Sequence, residues 1–275
     1  MSKVFIPSGR LSSKKRDFQE VVSDVRHAVF SVHRCRHLGN GQAAVTILGS
    51  GFFVSSSVFV TCWHVINNPA SPHQDGDEYQ LVNNLNGTNG YAHQVKGGVG
   101  KDIFLYPEHD FAILISKSKL DQAYLPISYS DVPTGHEIGV AGYPIPTLVL
   151  DATGKISLGG LVYRVAKGVA TAVYNTDLDT GLGYPLKGVE VLEVNFLFVP
   201  GNSGGPIFDA ATGRVEAFVE GFREYKIKEK EEQFGQAVVP SGLPKNYLQS
   251  IYAVYSIGLR LLPVRQHLEQ FGVQL

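Results

Sequence analysis

Of 275 residues, two are cysteine, one is methionine and one is tryptophan. Cys35 and Cys62 are too few for a disulfide framework, which excludes a small scaffold stapled by covalent bridges, and both thiols are expected to be reduced. An excess of charge of one sign is also missing. The 24 Lys and Arg nearly cancel the 25 Asp and Glu, for a formal net charge of -1, so the sequence carries no electrostatic bias toward nucleic acid or an anionic membrane. No uninterrupted apolar run approaches the roughly 18 residues that a membrane span needs. Residues 1–10 lack the apolar centre of a secretory signal. A cytoplasmic protein with no nucleic-acid or membrane partner is therefore expected.

Glycine and proline are plentiful, at 30 and 14 residues, and 44% of the chain is hydrophobic, enough for a sizeable core. This composition suits many short strands joined by turns. Residues 1–16 read as a mobile basic arm. Asp17, with Glu20 three residues on and Phe18, Val21, Val22 and Val25 at helical spacing, predicts a short capped helix. Strands are expected over 43–48 and 51–61, with Gly49-Ser50 between them. A turn-rich excursion over 67–101 includes Asn86-Gly87-Thr88, a formal glycosylation sequon read here as a turn. In the second half, strands are expected over 137–143, 159–175, 188–198, 214–222, 236–239 and 251–257. The charge run 226–232 reads as a solvated hairpin tip. Pro263 suits the first turn of a final helix, in which His267 is read as structural.

His33-x-Cys35-x-His37 places three potential metal ligands on one strand face, but no second cluster supplies a fourth. No metal and no cofactor are expected.

The chemistry concentrates in Pro200-Gly201-Asn202-Ser203-Gly204-Gly205-Pro206. A serine hydroxyl is a poor nucleophile at neutral pH and needs a base, a group that orients the base, and donors for the developing oxyanion. The glycines let the backbone turn sharply and leave amide hydrogens unobstructed. His64, in the apolar stretch Phe59-Val60-Thr61-Cys62-Trp63-His64-Val65, is the candidate base at a strand end, and Asp110, before Phe111-Ala112-Ile113-Leu114, the candidate orienting carboxylate. Gly201-x-Ser203-x-Gly205 also fits the nucleophile elbow of α/β-hydrolases. There, however, a helix follows the serine and the histidine comes last, whereas here Pro206 follows and only His267 lies downstream.

The set Gly49-Ser50-Gly51-Phe52-Phe53, Thr61 to Val65, Asp110 to Leu114 and Gly201 to Pro206, in the chain order His, Asp, Ser, resembles the trypsin-like serine peptidases of the chymotrypsin fold. Its wording is most similar to the Deg (high-temperature-requirement) branch and related intracellular trypsin-like peptidases. The resemblance implies an all-β fold: two packed antiparallel six-stranded barrels with a short N-terminal helix and a C-terminal helix docked on the second barrel. The corresponding boundaries are a peptidase domain over 17–275, with a first barrel at about 28–116, a linker at about 117–133, a second barrel at about 134–258 and the last helix at about 263–271.

The resemblance further implies endopeptidase action on a protein or peptide, with Ser203 as nucleophile, His64 as base, Asp110 as orienter, and the amides of Gly201 and Ser203 as oxyanion donors. Carried over by position, the pocket for the residue before the scissile bond is lined by Leu197, Phe198, Val219, Glu220 and Gly221. No aspartate lies at its base, so small or medium apolar side chains are expected unless Glu220 turns inward. Asn202 is neutral where secreted digestive relatives carry an aspartate, so activation by cleavage is not expected. Two alternatives use the same fold: an esterase, and a catalytically silent peptide-binding or scaffold protein.

Overall fold

The computed structural model describes residues 9–12, 14–84, 91–118, 122–144, 148–150, 156–158, 161–180, 183–227 and 251–274. In chain order the elements are β1 (Gly9–Arg10), α1 (Phe18–Val25), β2 (Val29–Gly39), β3 (Gln42–Phe53), β4 (Val58–Cys62), α2 (Trp63–Ile66), β5 (Glu78–Asn83), β6 (Tyr91–Val95), β7 (Ile103–Tyr106), β8 (Phe111–Ile115) and β9 (Ala123–Tyr124). They continue as β10 (Glu137–Gly142), β11 (Leu148–Leu150), β12 (Ile156–Leu158), β13 (Arg164–Asp179), β14 (Pro185–Val194), β15 (Pro206–Asp209), β16 (Val215–Ile227), β17 (Ile251–Arg260) and α3 (Arg265–Gln270). The sequon at 86–88, the expected strand over 236–239 and most of the charge run 226–232 lie outside the described residues.

The second half closes as the expected six-stranded barrel, in the order β10-β13-β14-β17-β16-β15, with β15 pairing back onto β10. The first half carries seven strands, in the order β6-β5-β2-β3-β4-β8-β7, one more than expected. The addition comes from the turn-rich excursion, where β5 and β6 form a hairpin on the outer edge of β2. β5 alternates buried and half-buried residues, as a strand with one wet face does, while β4 is buried throughout because both its faces are covered. The core of the first half is aromatic. Phe53 meets Phe30 and Phe59 edge-on at centroid distances of 5.3 and 5.1 Å, and all three rings are fully buried. Each such ring contributes roughly 1.5–3 kcal/mol by leaving water.

Three expectations are corrected by packing. Gly49-Ser50 is not a turn: β3 runs straight through it. A Cβ on Gly49 would lie 2.8 Å from Val65 Cγ2, and one on Gly51 2.4 Å from Phe59 Cζ, so these glycines permit close approach and do not reverse the chain. The reversal falls at Ser55–Ser57, where the Ser55 hydroxyl accepts from Val58 N–H at 3.0 Å. The arm over 1–16 is tethered from residue 9 onward. Gly9 and Arg10 pair with β9, Leu11 is buried, and Arg16 bonds Asp24. The last helix docks on the first half. Phe271 packs on Phe104 at 4.6 Å and His267 on Tyr106 at 3.9 Å, covering rings that edge strand β7 would otherwise expose.

Helix α1 forms as its cap predicts, with the Asp17 carboxylate accepting from Glu20 N–H at 2.9 Å. Val21 and Val25 are buried and Phe18 stacks on Phe208, so the helix braces the second barrel. The two halves meet through Phe111 and Phe218 at 5.6 Å, and through the Tyr143 hydroxyl donating to Asn83 Oδ1 at 3.0 Å.

Candidate active site

The histidine does not sit at a strand end. β4 stops at Cys62, and His64 stands in the single turn of α2, whose neighbours Val65 and Ile66 are buried and anchor it. Asp110 follows a short 3-10 turn, Pro107–His109, in the left-handed conformation with φ 46°, one of the few places where an Asp is tolerated at positive φ. That geometry aims its carboxylate back at α2. Asp110 Oδ2 lies 2.8 Å from His64 Nδ1, and Oδ1 accepts from the His64 backbone N–H at 3.0 Å. The carboxylate is fully buried and the imidazole 12% exposed.

A third donor reaches the same carboxylate. The Tyr184 hydroxyl lies 3.2 Å from Asp110 Oδ1 and donates to it, and the Tyr184 ring sits edge-on to Trp63 at 4.5 Å. Burial, and then the Asp110 charge, push the Tyr184 phenol strongly upward, so it stays protonated and able to donate. Sequence reasoning missed this residue, because nothing in its spacing ties the loop before β14 to Asp110.

Ser203 lies in the turn before β15. His64 and Ser203 line one cavity of about 250 Å³, together with Phe198, Val219, Glu220 and Gly221 from the sequence expectation. Thr180, Val199, Pro200 and Phe222 complete it. Leu197 does not line it. It is 60% exposed and belongs to an adjoining cleft with Phe196 and Asn202, because the chain turns outward between Phe196 and Phe198.

The Ser203 loop is shaped by the opposite half. Ser50 N–H donates to Ser203 O at 2.9 Å. The Ser50 hydroxyl donates to Gly201 O at 2.7 Å and accepts from Tyr143 N–H at 2.7 Å. Gly204 N–H donates to Val219 O and Gly205 N–H to Asn202 O. Gly201 and Gly204 hold φ of 97° and 82°, which side chains oppose. Among the described residues, neither Gly201 N–H nor Ser203 N–H donates to a protein acceptor. The Ser203 hydroxyl donates to Glu220 O at 3.3 Å.

Glu220 is buried, lines the same cavity, and is among the charges that raise the thiol of Cys62 and the phenol of Tyr184. Burial foremost, then the charges of Asp110 and Glu220, push the Cys62 thiol well above its ordinary range. It stays neutral and donates to Val219 O at 3.1 Å. The strand residues His33, Cys35 and His37 form no ligand cluster among the described residues.

Residues 49–217 match the family described as the trypsin-like peptidase domain. The chain belongs to that family. Among solved structures, the crystal structure of the Rv3671c protease from M. tuberculosis in its active form aligns with a TM-score of 0.57 at 17% identity, covering 100% of this chain and 94% of that one. At that identity the likeness is one of fold, and the fold is chymotrypsin-like. No curated protein matches by sequence. This trypsin-like peptidase is a serine-type endopeptidase, acting on protein or peptide substrates.

Proposed function

We propose that the peptidase works through an acyl-enzyme on Ser203, with His64 as general base, Asp110 as the orienting carboxylate, and the amides of Gly201 and Ser203 as oxyanion donors. The observation that carries this reading is the 2.8 Å contact between His64 Nδ1 and buried Asp110, with the imidazole facing the cavity that Ser203 also lines. Asp110 holds the proton on Nδ1, so the base acts through Nε2. The Ser203 hydrogen turns from Glu220 O to His64 Nε2 as Oγ bonds the scissile carbonyl carbon. The carbonyl oxygen gains negative charge opposite two amides that have no protein acceptor among the described residues. The imidazolium then protonates the leaving nitrogen as the C–N bond breaks. Water repeats the sequence and frees Ser203.

The residue before the scissile bond is small or medium and apolar. Phe198, Val199, Val219 and Phe222 supply apolar walls to a cavity of about 250 Å³, which Glu220 also lines. Neutral Asn202 offers no carboxylate for a newly freed N-terminus, so activation by that pairing is not expected. The enzyme is of the Deg type in its motifs. Cytoplasmic work agrees with two buried free thiols; among the described residues no helix is long and apolar enough to cross a membrane.

A fluorophosphonate probe tests the roles. Wild type is labelled, and Ser203→Ala and His64→Ala are not; labelling of folded Ser203→Ala would move the nucleophile elsewhere. Cleavage of a peptide library mainly after Arg or Lys would refute the apolar pocket.

A further inference from the structure

We propose that Glu108, His109 and His267 form a zinc-binding site that joins the turn before Asp110 to the C-terminal helix. One ligand atom from each residue lies within 4.8 Å of the other two. The three come from separate parts of the chain, the Pro107–His109 turn and α3, and the docking of α3 on β7 brings them together.

The donor set is chemically selective. Two imidazoles and one carboxylate suit zinc and similar borderline divalent ions, whereas calcium and magnesium take oxygen ligands. The rings are close to the required spacing. With Zn–N bonds of about 2.0–2.1 Å at a tetrahedral angle, two imidazole centroids stand roughly 5 Å apart. Those of His109 and His267 are 6.0 Å apart with planes 52° from each other, about 1 Å wider than that spacing. His267 is held for this by its flat stack on Tyr106, at 3.9 Å and 26°. Glu108 is exposed and both histidines are half-buried, which leaves an open coordination position for water.

The ligand atoms are also uncommitted. Among the described residues, the side chains of Glu108, His109 and His267 make no hydrogen bond or ion pair with protein. A second cluster, His136, Asp209 and Glu216, is engaged already: His136 Nε2 pairs with Asp209 Oδ2 at 2.7 Å and Glu216 with Arg260 at 3.0 Å. His267, structural by sequence, thus gains a second task. The inference does not depend on the roles of His64, Asp110 and Ser203.

Cobalt(II), titrated into the full chain, reports the site through its visible absorption. One equivalent is expected to give the bands of a low-coordinate nitrogen and oxygen site, and zinc is expected to displace it. His267→Phe keeps a ring on Tyr106 and removes the ligand, and is expected to weaken cobalt binding at least about tenfold. Glu108→Gln, at an exposed position, is expected to weaken it several-fold. Zinc is expected to raise the melting temperature of wild type and not of His267→Phe. No stoichiometric binding by wild type, or the same bands and affinity in folded His267→Phe, would overturn the site. The second result would assign the metal to other histidines or to Cys62, His64 and Asp110.

Discussion

The Tyr184 hydroxyl donates to Asp110 Oδ1 across 3.2 Å, while the other carboxylate oxygen meets the His64 imidazole at 2.8 Å. The phenol thus shares Oδ1 with the His64 backbone N–H and leaves Oδ2 to the imidazole. Tyr184→Phe keeps the ring on Trp63 and removes one donor to a buried charge, a bond of about 1.5–3 kcal/mol. If about half of that is expressed in the transition state, kcat falls about 4- to 13-fold with little change in KM. With less of its charge engaged, the carboxylate attracts the imidazolium more strongly, so the acidic limb of the rate–pH profile moves to higher pH. A variant that lowers kcat and leaves that limb in place would refute the positioning role.

Ser50 links two peptides of the second half, accepting from Tyr143 N–H and donating to Gly201 O. Ser50→Ala leaves both buried groups without these bonds, at about 2–4 kcal/mol of stability. The turn bearing Gly201 loosens as well, so kcat falls even at temperatures where the variant is folded. Denaturant melts together with steady-state kinetics separate the two effects.

Gly204 is fixed by both conformation and space. A Cβ there would stand 2.2 Å from Thr61 Oγ1 and 2.3 Å from Ser50 O, at φ 82°. Gly204→Ala is expected to destabilise by about 3 kcal/mol or more and to abolish activity, because the backbone carbonyl cannot yield as a side chain could. Recovery of the folded protein at wild-type stability would contradict the close packing described for the loop.

Acid weakens the fold through buried imidazoles. His93 is buried, with Nδ1 2.9 Å from the Ser116 hydroxyl and Nε2 2.9 Å from Gln122 Oε1. Burial lowers its pKa below 6.5 despite the opposing bond to Gln122. The unfolded chain therefore binds a proton more readily. The stability contribution is full above 6.5 and is lost as pH falls from there through the lower folded value. His27, His33, His73 and His109 shift the same way, each chiefly through burial. The melting temperature should drop between about pH 7 and pH 5, and His93→Gln, which can keep polar partners without titrating, should make that slope shallower. An unchanged slope would assign the acid sensitivity to the other histidines.

The sequence made the polar exceptions visible. His64, Asp110 and Ser203 each interrupt or border an apolar or glycine-rich run, and the structure brings the first two into contact and opens one cavity to the first and third. Tyr184 was hidden because a single tyrosine in a loop has no pattern, and its partner lies 74 residues away. Gly49 was misread as a break between strands because glycine marks either a turn or a close approach, and only the chains packed above it decide which. The seventh strand of the first half was legible as a hairpin but not as an addition to β2, since edge pairing is written in two distant segments at once.

The turn that carries Ser203 takes its shape from Ser50, which belongs to the half of the polypeptide made first. On the proposed roles, a nascent chain with only its leading sheet assembled has the imidazole and carboxylate but lacks the Ser203 hydroxyl. A trailing barrel folded alone has the hydroxyl without the clasp that sets its backbone. On those roles activity requires the two halves to be docked, and an agent that separates them silences the enzyme.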